Sequence, residues 1–106
     1  MIKVNVLVNK NIEQITLVGH ADFDDFGKDI VCSAASSIVT TTVNAIIRFD
    51  KDYISYKEEK DKFTITINTW NEVVNNLITN MLDLLKELEK DYPSNIKIKE
   101  EMRWTC

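Results

Sequence analysis

Glycine, proline, cysteine and histidine are all scarce in this chain of 106 residues, which holds two glycines, one proline, two cysteines and one histidine. Two cysteines, one of them the terminal Cys106, make neither a disulfide framework nor a tetrahedral metal site, which would need about four ligands. No structural metal and no cofactor is therefore expected. No apolar run approaches the roughly 20 residues of a membrane helix, and the N-terminus lacks the basic-then-apolar build of a signal peptide. The expectation is a cytoplasmic protein without membrane contact. Positive charge is also short: 13 Lys and Arg stand against 17 Asp and Glu, a net charge of −4. That argues against a direct grip on nucleic acid, whose phosphates call for a basic patch. An acidic surface suits a basic partner, and equally plain solubility.

With 44% hydrophobic side chains over this length, the chain reads as one domain, 1–106, with one core. Ile2, Val4, Val6 and Val8 alternate as in a strand with one buried face. The Asn9-Lys10-Asn11 turn reverses the chain, since asparagine tolerates left-handed angles, and Ile12 to Val18 returns with Ile15 and Leu17 on one face. Ile30 to Phe49 is rich in Val, Ile and Thr, which favour strands. Its period decides for a helix: Val31, Ala34 or Ala35, Ile38, Thr42, Ala45 or Ile46, and Phe49 recur every three or four residues. Tyr53 to Lys57 and Phe63 to Ile67 read as paired strands around the charged turn Glu58 to Lys62. Asn71 then caps an amphipathic helix reaching Tyr92, with Val74, Leu77, Ile78, Met81, Leu85 and Leu88 on one stripe, ended by Pro93. Ile96, Ile98 and Met102 mark a last strand. The order ββαββαβ predicts an α+β fold, a largely antiparallel sheet with two helices on one face, its other face polar or paired with another copy.

The rare residues converge on one stretch, Gly19 to Ser37, GHADFDDFGKDIVCSAASS, which holds the histidine, both glycines and the internal cysteine. A thiol is a nucleophile only as thiolate, which backbone N–H groups, the positive end of a helix or an imidazolium favour. Asp29 is suited to cap the helix that follows, which puts Cys32 in its first turn. His20, at the end of the preceding strand, can fold back to act on Cys32 as base and then acid. Ser36, four residues beyond Cys32, shares its helical face and has a hydroxyl to offer a thiolate or oxyanion. The loop between carries three aspartates and two phenylalanines; Phe23 and Phe26 are expected to staple it to the core, and Gly19 and Gly27 bracket it as pivots of a mobile lid. The small residues Ser33 to Ser37 allow another backbone close, with packing of the helix on its own sheet favoured over a bound peptide.

GHA, a loop ending in Gly27, and DIVCSAAS together resemble the signature of the ribosomal-processing cysteine proteases, closely over Gly19 to Ser36 and in element order over essentially the whole chain. The resemblance implies that His20 and Cys32 are a catalytic dyad, assisted by Asp29 and Ser36. It further implies a homodimer, whose substrate is the precursor of large-subunit ribosomal protein twenty-seven, from which an N-terminal extension is removed. Members commonly have glycine after the His-Ala pair and alanine after the Cys; Asp22 and Ser33 stand there instead. Two functions are thus on the page. One is a cysteine endopeptidase; the other is a non-enzymatic ribosome-associated or peptide-binding module in which the same loop holds a peptide and cuts nothing.

Overall fold

Alternation at the N-terminus produces the expected strand: β1 (Ile2–Asn9) buries Ile2, Val4 and Val6 and turns Lys3 to solvent. The protein is described here from a computed structural model covering residues 1–25 and 29–102. β2 (Asn11–Val18) runs back against β1. The left-handed angle expected of an asparagine falls on Lys10, at φ 61°. Asn9 and Asn11 already pair across the turn, so the corner is left to the residue between them. Glu13 bulges from the ladder, since Leu7 pairs with Gln14 but Val8 with Ile12. The extra residue brings Ile12 to the same face as Ile15 and Leu17 despite the odd spacing.

Chain order and sheet order differ. β3 (Ile54–Glu59) and β4 (Lys62–Ile67) form a hairpin, and with β5 (Ile96–Met102) the five strands lie in the order β3-β4-β2-β1-β5. Every pairing is antiparallel except β1 with β5. The hairpin turn is tighter than the sequence indicates: Glu59 pairs with Lys62, leaving only Lys60 and Asp61 at the tip, with Asp61 at φ 63°. Lysine and glutamate are poor strand formers, yet register extends the ladder through them.

Two 20-residue helices, α1 (Ile30–Phe49) and α2 (Glu72–Asp91), cover the face that bears Ile2, Val4, Ile15, Ile54, Ile65 and Ile96. The period of α1 overrides its β propensity because a helix places Val31, Ala35, Val39, Thr42, Val43 and Ile46 on one buried side. Thr42 is buried without penalty, its hydroxyl donating to the Ile38 carbonyl at 3.0 Å. Phe49, expected on that stripe, is instead 54% exposed and lies against Tyr53, with ring centroids 5.7 Å apart. α2 buries Val74, Ile78, Met81, Leu82 and Leu85, starts at Asn71, whose side chain accepts from the Val73 and Val74 N–H groups, and stops at Tyr92 before the proline. The opposite sheet face carries polar residues such as Lys3, Asn5, Gln14, Thr16, Thr64 and Thr66.

One expectation needs correcting. By length and composition α1 is apolar enough to cross a membrane, although no such run was expected. Its serines and threonines break up the apolar runs but carry no charge, so they scarcely lower the average. In this fold its buried side packs on the sheet and α2, and Ser33, Ser36, Ser37, Thr40, Thr41 and Asn44 point away.

Candidate active site

β2 ends at Val18, and the next two residues aim the site. Gly19 has φ 94°, and a Cβ there would stand 2.7 Å from the Met1 carbonyl oxygen, so this corner requires glycine for both angle and space. Its N–H donates to the Asp61 carbonyl at 2.9 Å, pinning the tip of the β3–β4 hairpin to the end of β2. His20 follows, with Nε2 2.6 Å from Asp61 Oδ1 and side chains 57% and 46% exposed, respectively. Ala21 then re-enters the core, its carbonyl accepting from Asn95 Nδ2 at 2.9 Å.

Asp29 is the N-cap of α1, as its chemistry predicts. One carboxylate oxygen accepts from the Cys32 N–H at 2.9 Å and the other from the Phe23 N–H at 3.1 Å. Desolvation would raise this carboxyl, but backbone N–H groups, Cys32 first and then Phe23, outweigh it and hold Asp29 below the ordinary carboxylate value. A single side chain therefore ties the loop to the helix start. Cys32 sits half-buried in the first turn as a free thiol. Its N–H is taken by Asp29, and that of Ser33 donates to the Asp29 carbonyl at 3.1 Å. The backbone N–H groups of Cys32 and Ser33 are thus both engaged by Asp29.

His20, Cys32, Asp29, Ser33 and Ser36 line one groove of about 970 Å³ between α1 and the β3–β4 hairpin. Its floor and far wall include Leu17, Tyr56 and Phe63. Ser33 and Ser36 face this space rather than packing on the sheet; of the small residues, Ala35 alone is fully buried.

A family model, described as cysteine protease Prp, matches residues 1–97. The chain belongs to this family. It is a cysteine protease. It is 33% identical over 103 residues to the ribosomal processing cysteine protease Prp of Staphylococcus aureus, covering 92% of this chain and 97% of the relative. Two crystal structures of the S. aureus Prp superpose on it: one in complex with a covalently linked product peptide (TM-score 0.89, 30% identity) and one with a substrate peptide (TM-score 0.83, 29% identity). Each covers 95% of this chain and 100% of the other.

Set among Prp proteases, Asp22 explains how it replaces the usual glycine. It adopts φ 55°, left-handed space that aspartate enters more readily than most residues, and its carboxylate pairs with the Met1 amino group at 3.0 Å. Phe23 staples the loop as expected, edge-on to Tyr92 with centroids 5.3 Å apart, though 43% exposed. The loop's first half makes contacts at Ala21, Asp22 and Phe23. Phe26 and Gly27 lie outside the described residues, as does Cys106. Among the described residues, no three His, Cys, Asp or Glu side chains converge as metal ligands.

Asp61 is the residue that sequence reasoning missed. The charged turn was visible, but nothing local in it points to His20; only the order β4-β2 within the sheet brings them together.

Proposed function

We propose that this chain is a ribosomal-processing endopeptidase in which His20 and Cys32 carry the chemistry. The observation that carries the reading is the shared groove: a thiol in the first turn of a helix and an imidazole at a strand end line the same cleft of about 970 Å³. His20 takes the thiol proton, and the thiolate adds to the scissile carbonyl. The imidazolium returns the proton to the departing amine, leaving an acyl-enzyme thioester. Water, deprotonated by the same imidazole, then releases the acid and restores the thiol. Asp29 holds the helix start and loop together around Cys32. Because the cap engages the nearby backbone donors, Ser36, one turn further along the groove, is the hydroxyl assigned to the developing oxyanion.

The substrate in this reading is the precursor of large-subunit ribosomal protein twenty-seven, cut to remove its N-terminal extension in the cytoplasm by a homodimer. It is supported by the Gly19–Ser36 signature and by S. aureus Prp, described as a ribosomal processing protease and solved with substrate and product peptides. Incubating the protein with that precursor and weighing the products intact tests activity, substrate and cut site together. A single cleavage near the precursor's N-terminus is expected; an uncut precursor under conditions where Cys32 alkylates rapidly would remove this substrate.

A further inference from the structure

We propose that Asp61 is the positioning residue for His20, making the His20–Cys32 dyad of the proposed function, on which this inference rests, part of a Cys-His-Asp triad. An exposed ion pair is usually worth little, so proximity alone would not carry the assignment. Here the carboxylate is delivered by backbone. The Lys60-Asp61 tip has a fixed register, Glu59 against Lys62. Asp61 itself occupies the left-handed corner at φ 63°, and its carbonyl is bonded by the N–H of Gly19, the residue immediately before His20. Carboxylate and imidazole are thus mounted on two backbones tied to each other one residue away.

The ring chemistry follows from which nitrogen is engaged. Nε2 lies 2.6 Å from Asp61 Oδ1, so the neutral ring keeps its proton there and leaves the Nδ1 lone pair as the base. When Nδ1 accepts the proton of Cys32, the imidazolium gains a carboxylate partner. The charged groups that share the groove are Asp22, Asp24 and Asp29 from the loop and helix start, and Glu58, Glu59 and Lys62 from the hairpin. Among the described residues, the ion pair His20 makes is with Asp61.

The test is steady-state cleavage of a peptide spanning the cut site by Asp61→Asn, Asp61→Ala and Asp61→Glu, with Cys32→Ala and His20→Ala as controls. Asp61→Ala is expected to lower kcat at least about tenfold, or about 1.4 kcal/mol of barrier, with KM little changed. Half-exposure keeps the loss well short of the roughly 10⁴-fold seen when the carboxylate of a Ser-His-Asp triad is neutralised. In Asp61→Asn, which keeps an acceptor but loses the charge, the acid limb of kcat/KM against pH should move to lower pH, because His20 works as the neutral base and losing the neighbouring negative charge disfavours the imidazolium. Asp61→Glu should recover part of kcat. Since Asp61→Ala also alters the turn, the decision rests on the near-isosteric Asp61→Asn: an unmoved acid limb and kcat within about twofold of wild type would overturn the proposal. If either control cleaves at the wild-type rate, the dyad itself is wrong. If both controls are inactive while Asp61→Asn behaves as wild type, the dyad stands and Asp61 is only a turn residue.

Discussion

α1 and α2 have the same length and share one face of one sheet, yet they end in opposite kinds of surface. α2 meets the sheet with Val74, Ile78, Met81, Leu82 and Leu85, all of them buried. α1 brings Cys32, Ser33, Ala35 and Ser36 in its first turns, and these are too short to reach the β3–β4 hairpin, so a groove remains. The same architecture thus packs closely along α2 and leaves a groove beside the first turns of α1, where the side chains are small.

That contrast is broken most directly by exchanging what is removed from each helix. Cys32→Ala should reduce cleavage to background and leave stability within the roughly 0.5–3 kcal/mol of ordinary point changes, toward the low end. Leu85→Ala, at a position without solvent exposure, should cost about 2–5 kcal/mol through lost burial and a cavity. Its remaining folded molecules should cleave as wild type. Paired urea melts and cleavage rates read both, and a Cys32→Ala protein that melts like Leu85→Ala would place Cys32 in the core instead of the groove.

A smaller effect is expected at the floor of the site. Gly19→Ala forces a Cβ into left-handed backbone, at a cost of about 1–2 kcal/mol from the angle alone, and against the Met1 carbonyl. It should lower the melting temperature and slow cleavage together, since the same corner aims His20. Unchanged melting would show that the corner relaxes freely.

The finest test uses acid. Asp29 is held below its ordinary value by the N–H groups it caps. Its ionised form therefore stabilises the fold fully above the unfolded carboxylate range, near pH 4, and that contribution is lost as pH falls through the lower folded value. Asp29→Asn keeps a capping oxygen and removes the charge, so its stability against wild type should differ least at the lowest pH and most above pH 4. A constant difference across that window would mean that the charge of the cap does nothing.

What the sequence determines by itself is everything held by near neighbours. The caps Asp29 and Asn71 accept from N–H groups two or three residues on. The two helical periods, and His20 at a strand end ahead of a thiol in a first helical turn, are set within a few residues as well. These were legible because a helix or turn brings the same residues together whatever surrounds it. Tertiary structure decided the contacts between distant segments. β5 runs parallel to β1, the hairpin tightens to Lys60 and Asp61, and Ser36 faces a cleft instead of the sheet. The His20–Asp61 contact belongs to the same class: it exists because β4 lies beside β2, and no spacing or propensity along the chain encodes which strands will be neighbours.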